Sequence, residues 1–182
     1  MADSADPVRW LSGTEQGAWL ALAELMIKLP AALDAQLQRD SGISHFEYMV
    51  LAGLSEAPGR SLRMSDLAGF ANGSLSRLSH VVKRLEQRGW VRREACAQDG
   101  RYTNALLTES GYAKVVATAP GHVEQVRALV VDALSPRELA QLQTIGERIL
   151  RRADPAGCEQ GANEAWPGRR ARTGRAIDPS GG

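Results

Sequence analysis

The stretch from Ser74 to Gly89 carries side chains suited to binding an anion. On a helical wheel its hydroxyl, cationic and amide residues fall on one face, and these are Ser76, Arg77, His80, Lys83, Arg84 and Gln87. The opposite face carries Leu75, Leu78, Val82 and Leu85. The pattern predicts a helix that rests on a core by its aliphatic face and offers its polar face to a partner. A plain solvated surface helix would show the same pattern.

The residue types on the polar face fit DNA. Arg77 is the candidate base reader, because a guanidinium fork matches the O6 and N7 acceptors of guanine. Hydroxyls near the helix start can donate to phosphate or to base edges, and we assign this role to Ser74, Ser76 and Ser79. Three residues further along the face are candidate contacts to the DNA backbone, namely His80, Lys83 and Arg84. Each of them taken singly could also be a plain solvated side chain.

Charge is concentrated around this stretch. The chain of 182 residues has 22 Lys and Arg against 21 Asp and Glu, a net charge of +1. Residues 72–101 contain seven cations and three anions, a net charge of +4. A polycation held to nucleic acid by bulk charge is therefore excluded, and an anionic partner must be met by a local patch.

Composition narrows the class of protein further. Cys96 and Cys158 lie far apart, which provides neither a disulfide framework nor the ligands of a zinc site. Glu24 and Lys28 interrupt the apolar run of residues 18–33, so we predict no signal peptide. No stretch approaches the roughly 20 apolar residues of a membrane span. We expect a cytoplasmic protein in a reducing compartment, without membrane contact, metal or cofactor.

The elements before the stretch are predicted to be helical. Ser12 with Glu15 opens a helix to about residue 40, and Pro30 should kink or split it. This helix has a narrow apolar seam of Trp19, Leu22, Met26, Leu29, Leu33 and Leu37. The seam can pack on its own domain or on a second copy of the chain. Ser44 with Glu47 opens a second helix, to about Ser55.

The next residues predict a helix-turn-helix followed by a hairpin. A short extended stretch at 61–64 precedes a brief helix at 65–71, for which Ser65 is the expected cap. Asn72-Gly73 is a turn, and the polar helix of the opening stretch follows it. Residues 90–95 and 102–107 suit two strands joined by a turn at Asp99-Gly100, which makes a wing.

Two helical stretches follow the hairpin. Thr108 opens a long helix with a break or kink at Pro120-Gly121. Ser135-Pro136-Arg137-Glu138 is a strong helix start, with an N-cap serine, a proline at N1 and an acid at N3. Its apolar stripe is Leu139, Leu142, Ile145 and Ile149. Residues 1–11 are expected to be a flexible N-terminus, and residues 154–182 a disordered tail.

Four motifs resemble the MarR family of bacterial transcriptional regulators. They are Leu62–Ala68, Ser74–Val91, Asp99-Gly100-Arg101 and Leu106–Gly111, which contains the helix start L-T-E-S-G. The resemblance runs from about Trp19 to Arg152. It implies a mainly α fold with a small β-hairpin wing, in which a winged helix-turn-helix domain is flanked by N- and C-terminal dimerisation helices. The domain would span 12–153, with dimerisation helices at about 12–40 and 108–153 and the winged part at about 44–107.

The resemblance also implies a function. The family members are homodimers that bind near-palindromic double-stranded DNA, and many are repressors released by a small aromatic or lipophilic effector. Arg101 would insert into the minor groove, with Asp99 orienting it. By their location, Trp19, His45 and Tyr48 would line the effector cleft, although aromatic residues at helical spacing are more often plain core. Cys96 beside Arg92 and Arg93 would be a passive small residue rather than a reactive thiol.

Two other classes of function compete with this interpretation. A winged helix that binds protein without specific DNA binding would be expected to lose cations or gain exposed apolar residues on the polar face. An enzyme would need a catalytic constellation, but Ser79 and His80 are adjacent on a helix and point differently. The sequence also has no Gly-rich phosphate loop. We therefore expect a DNA-binding regulator and no enzymatic activity.

Overall fold

A computed structural model describes residues 8–71, 73–96 and 101–154. Its helices are α1 Gly13–Ser41, α2 His45–Glu56, α3 Met64–Phe70, α4 Leu75–Gln87, α5 Glu109–Val126 and α6 Pro136–Ala153. Its strands are β1 Ser61–Arg63, β2 Val91–Ala95 and β3 Thr103–Leu107. A π-helical turn at Arg127–Val131 continues α5. The predicted fold class, mainly α with a small β wing, is confirmed. Residues 1–7 and 155–182 lie outside the described residues.

Serine caps start three of the helices as predicted. The Ser12, Ser44 and Ser135 hydroxyls each accept from the backbone N–H three residues on, and the glutamate there accepts from the serine N–H. Each box satisfies two N–H groups that a helix start leaves unpaired. These helix starts are therefore set by local sequence.

The expected effects of proline and of Ser65 are only partly observed. α1 continues through Pro30, and α5 continues through Pro120. Burial of Leu33 and Leu37 beyond Pro30 offsets the hydrogen bond that the proline removes. The cap at Ser65 is wrong, because the Ser65 hydroxyl donates to Asp66 Oδ1 at 3.0 Å and α3 begins directly after β1.

The wing is a three-stranded antiparallel sheet in the order β1-β3-β2. Val91 pairs with Leu107 and Ala95 with Thr103, which makes the two predicted strands antiparallel neighbours. β1 adds a third strand by pairing Ser61 with Leu106. Since β1 directly precedes α3, the sheet joins the helix-turn-helix to the wing. The predicted turn at Asp99-Gly100 lies outside the described residues.

The core lies between α2, α3, α4, the sheet and the ends of α1 and α5. Its fully buried large side chains are Leu37, Ile43, Val50, Leu51, Leu54, Leu67, Leu78, Val82 and Leu85. Val91 and Leu107 contribute from the wing strands, and Val115 from α5. Burial of these aliphatic side chains, at about 25 cal/mol per Å², is the main source of stability for the winged part.

The N-terminal half of α1 and the whole of α6 leave their apolar residues uncovered. Trp19 is 53% exposed, Met26 55% and Ile145 53%. No residue of α6 is buried. Exposed apolar stripes of this kind on two helices are typical of a surface that a partner covers. Among the described residues, no helix combines the length and hydropathy that crossing a membrane would need.

One corner of the fold joins the polar helix, the wing and α5. Gly89, with φ 73°, ends α4, and the Trp90 N–H donates to the Leu85 carbonyl at 3.0 Å. The Thr108 and Ser110 hydroxyls both donate to the Gly89 carbonyl, at 2.7 and 2.8 Å. A Cβ at Gly111 would collide with the Trp90 carbonyl oxygen and would lie 2.8 Å from Leu107 Cδ1. The glycine of the L-T-E-S-G motif is therefore required by a close backbone approach.

We predict that Gly111→Ala lowers the free energy of unfolding by about 3 kcal/mol, because the added methyl group meets backbone that cannot move freely. The matched control is Gly69→Ala, in a helix at a position with nothing within 4 Å. That variant should be neutral or gain up to about 1 kcal/mol. Urea unfolding followed by circular dichroism measures both. Equal stability of the two variants would show that the corner tolerates a side chain.

Candidate nucleic-acid interface

Helix α4 has the two faces that its sequence predicts. Leu78, Val82 and Leu85 are buried, together with Val81. The Ser74 hydroxyl accepts from the Arg77 N–H at 3.2 Å and caps the helix. The prediction that Leu75 lies on the buried face is wrong: its side chain is 53% exposed, because the first residue of α4 lies beyond the edge of the core.

The polar residues of α4 point away from the core. Ser79 is half-buried, and the other candidates are exposed, namely Ser74, Ser76, Arg77, His80, Lys83 and Arg84. The guanidinium carbon of Arg77 lies 4.2 Å from the centre of the Phe46 ring. Arg84 Nε lies 3.4 Å from Oε1 of buried Glu47, which also caps α2. The arrangement leaves a row of donors facing outward along the helix.

The wing is fixed to α4 by one acid. Glu86 accepts from the Arg93 N–H at 2.9 Å and from Arg93 Nε at 2.8 Å. Arg93 Nη2 adds a contact of 2.7 Å to the same carboxylate. Paired donors to one carboxylate restrict its orientation more than a single contact does. The angle between the polar helix and β2 is therefore held by side chains as well as by the corner.

A groove of about 370 Å³ separates the start of α4 from the wing. Arg101 lines it and is exposed, while Asp99 lies outside the described residues, so the predicted pair between them stays a prediction. Arg63 also lines the groove, with its guanidinium carbon 4.8 Å from the centre of the Tyr102 ring. Arg63 is a candidate that the sequence analysis misses, although it directly precedes α3 of the helix-turn-helix. A basic side chain there adds to the local positive charge.

A larger cleft of about 1050 Å³ lies between α1, α2, α4 and α5, and we call it the interhelical cleft. Its polar and aromatic lining consists of Asp34, Ser44, His45, Phe46, Arg77, His80, Arg84 and His122. Of the three predicted ligand-cleft residues, His45 lines it directly. Tyr48 is buried, with its ring 4.5 Å from that of His122. Trp19 lies on the exposed half of α1, outside this lining.

The surroundings of His45 and His122 in the interhelical cleft shift the pKa of both imidazoles towards the neutral form. Burial lowers the pKa of His45, and Asp34 opposes this shift. Burial also lowers the pKa of His122, and His45 adds to the shift. Burial raises the pKa of Tyr48. The cleft therefore combines uncharged aromatic rings with the guanidinium groups of Arg77 and Arg84, a combination that fits an aromatic anion. His122 was missed because it follows Pro120, where a break was expected.

Cys96 lies at the end of β2 and is 4% exposed. Its backbone N–H donates to the Tyr102 carbonyl at 2.8 Å. A buried thiol is a poor nucleophile, so its environment favours the passive role.

These elements together define a winged helix-turn-helix: α3, a turn, the exposed face of α4 and a three-stranded wing. The model of the MarR family matches residues 43–103. Sco3205 from Streptomyces coelicolor, a MarR family transcriptional regulator solved in complex with DNA, is 45% identical, with a TM-score of 0.79. The match covers 84% of this chain and 95% of that one. The chain belongs to the MarR family of transcriptional regulators.

Two further relatives support the assignment to this family. AbsC, a MarR family regulator from Streptomyces coelicolor, is 40% identical over 78% of this chain and 98% of its own, with a TM-score of 0.72. The transcriptional repressor MprA of Escherichia coli strain K12 is 28% identical over 119 residues, which are 65% of this chain and 67% of that protein. The similarity thus extends from the winged part into the flanking helices.

The lowered histidine pKa values predict that stability falls on acidification. The unfolded chain binds protons near the ordinary histidine pKa of about 6.5, while the folded chain binds them only at lower pH. The contribution of these two shifts to the free energy of unfolding is therefore fully present above that pH and is lost as the pH falls below it. Between about pH 7.5 and pH 5.5, the melting temperature of the double variant His45→Gln, His122→Gln should fall by less than that of the wild type. An identical loss in both would contradict the pKa shifts.

Proposed function

We propose that this protein is a homodimeric, sequence-specific DNA-binding transcriptional regulator, and that it acts as a repressor released by a small-molecule ligand. The observation that carries the proposal is the exposed polar face of α4, held against the core by Leu78, Val82 and Leu85 beside a wing that bears Arg101. A helix presented in this way fits the major groove. The DNA complex of the 45% identical Sco3205 supports the same partner.

The proposed roles on α4 follow from position along the helix. Arg77 reads a base, and the hydroxyls at the helix start bind phosphate or base edges, these being Ser74, Ser76 and Ser79. His80 and Lys83 contact the DNA backbone further along. Arg84 does the same through the N–H groups that do not face Glu47, which lies 3.4 Å from its Nε. The contact with Glu47 limits how far Arg84 can reach, so its contribution should be smaller than that of Lys83.

The proposed role of the wing is to bind the adjacent minor groove. Arg101 enters it, and Asp99 orients the guanidinium through a charge-assisted pair. Arg63 and Ser65 line the groove between α4 and the wing, where a backbone phosphate would pass. With a net charge of only +1, these residues and α4 must supply most of the affinity for DNA.

We place the dimer interface on the two exposed apolar stripes. They lie on the dimerisation helices of residues 12–40 and 108–153, which flank the winged part of residues 44–107. Trp19, Met26, Ile145 and Ile149 are large apolar side chains of these stripes and are between 44% and 55% exposed. A dimer related by a twofold axis would present two α4 helices to successive major grooves, roughly 34 Å or 10 bp apart, on a near-palindromic operator.

The interhelical cleft is the proposed effector site. Its neutral imidazoles, His45 and His122, would contact the ring of a small aromatic or lipophilic molecule, with Tyr48 behind His122. The guanidinium groups of Arg77 and Arg84 would pair with an acidic group on the ligand. Repression is proposed because the relative MprA is named a transcriptional repressor. Trp19 remains a proposed ligand contact through the dimer surface, and the protein would act in the cytoplasm.

A protein-binding winged helix is the alternative. Leu75 is exposed at the start of α4, as such a module would require. However, exposed Arg77, Lys83 and Arg84 on the same face favour a polyanion.

Selection of bound duplexes from a random pool tests the proposal. The full chain should enrich an inverted repeat, and its affinity should fall steeply with salt because bound phosphates release counterions. A pool that stays unenriched, or an affinity unaffected by salt, would contradict sequence-specific DNA binding.

Arg77→Ala should reduce the preference for the selected duplex over a scrambled one, by about 1–3 kcal/mol, because it removes a base contact. Arg101→Ala should instead weaken binding to the selected duplex. It should change little the relative affinities for A·T-rich sequences whose minor grooves have the same width. Fluorescence anisotropy with both duplexes measures the two effects. Equal losses on specific and scrambled DNA for Arg77→Ala would remove Arg77 from the base-reading role.

Ile145→Asp should shift the protein from dimer to monomer, because a carboxylate in an apolar interface is costly to desolvate. Ala140→Asp is the matched control, since Ala140 is exposed on α6 outside the apolar stripe. Sedimentation equilibrium at several concentrations gives the dissociation constant of each. A dimer as tight in Ile145→Asp as in Ala140→Asp would place the interface elsewhere.

A further inference from the structure

Phe46 lies beneath the side chain proposed to read a base. It is the second residue of α2, and its ring centre is 4.2 Å from the guanidinium carbon of Arg77. A cation this close to the face of an aromatic ring is attracted by the ring quadrupole. The contact joins α2 to the first turn of α4, two elements that are separated in the chain by α3 and β1.

The helix-turn-helix turn leaves room for this ring. A Cβ at Gly73 would lie 2.8 Å from Phe46 Cζ and 2.9 Å from Cε2. These distances are shorter than van der Waals contact, so any side chain at Gly73 would displace the ring. The glycine of the turn and the phenyl ring are therefore packed as one unit, with Arg77 above them.

The type of partner matters for DNA reading. Arg84 lies beside the carboxylate of Glu47, and Arg93 donates to the carboxylate of Glu86. A carboxylate occupies the in-plane N–H donors of a guanidinium, and these are the donors that bind guanine O6 and N7. The partner of Arg77 is instead the face of an aromatic ring, which carries no carboxylate or carbonyl oxygen to accept from the guanidinium N–H groups. The Phe46 contact can thus restrict the orientation of Arg77 without occupying its donor fork.

We propose that Phe46 is a positioning residue for base reading, which holds the guanidinium of Arg77 by its face and leaves its edge free for guanine. The inference rests on the proposed DNA-binding function and adds to it a residue outside α4. Pre-orientation reduces the side-chain entropy that Arg77 loses on binding. The benefit is confined to DNA that offers Arg77 the matching base, so it contributes to sequence preference rather than to general affinity.

The test is a double-mutant cycle on full-length protein. Affinities for the duplex selected by the wild type and for a scrambled duplex are measured for Phe46→Leu, Arg77→Ala and the double variant. Phe46→Leu keeps an apolar side chain but removes the ring face, and it should lower the ratio of the two affinities roughly three- to tenfold. In the Arg77→Ala background the same substitution should have no further effect on the ratio.

Phe70→Leu is the matched packing control. Phe70 is also half-buried against the core, but it lies on α3 and is absent from the lining of the interhelical cleft. It should lower the melting temperature without changing the affinity ratio. Gly73→Ala is a second perturbation of the same contact, since the added methyl group displaces the Phe46 ring. It should lower the ratio as Phe46→Leu does, and only while Arg77 is present.

The outcomes separate the inference from the function on which it rests. An unchanged ratio in Phe46→Leu overturns the positioning role while the proposed function stands. An equal loss in the Arg77→Ala background, or in Phe70→Leu, assigns Phe46 a purely structural role and also overturns it. A wild type that shows no preference among duplexes overturns the proposed function, and the positioning role with it.

Discussion

The contact of Gly111 with the backbone of Trp90 is the constraint on which the winged part depends. At this corner the end of α4, the start of β2 and the start of α5 meet within hydrogen-bonding distance, through the Gly89 carbonyl and the Thr108 and Ser110 hydroxyls. The carbonyl of Trp90 also accepts from the Thr108 N–H at 3.0 Å. Because the three elements share one corner, a displacement of α5 relative to the core would be transmitted to both the polar helix and the wing.

The two parts of the chain differ in how completely they are packed. The winged part encloses its own core, and the acids Glu47 and Glu86 connect α4 to α2 and to the wing. The flanking helices instead expose apolar stripes that a single chain leaves uncovered. This division is important for DNA binding, because the net charge of one copy is only +1 and gives little general attraction to DNA. A dimer would double the contacts and fix their spacing. The affinity for DNA would then come from paired, correctly spaced contacts rather than from the overall charge.

Local sequence predicted the features whose physics is local. The capping boxes at Ser12, Ser44 and Ser135 and the buried face of α4 follow from spacing alone, and the structure has them where expected. The predictions for Ser65 and Leu75 are wrong for a tertiary reason, since α3 begins directly after β1 and the first residue of α4 lies beyond the edge of the core. The interhelical cleft was located only by resemblance, and its residue His122 lies more than seventy positions from His45 in the chain. Nothing in the spacing of these two histidines indicates that their rings lie 5.9 Å apart.

We propose that two copies of α4, held by the flanking helices, read two sites on one face of the DNA. Hydroxyl-radical footprinting of the full chain on its selected duplex shows whether both copies bind. Two equivalent protected segments are expected, related by a twofold axis, with centres one helical turn of about 10 bp apart. A single protected segment, or uniform protection along the duplex, would contradict this proposal.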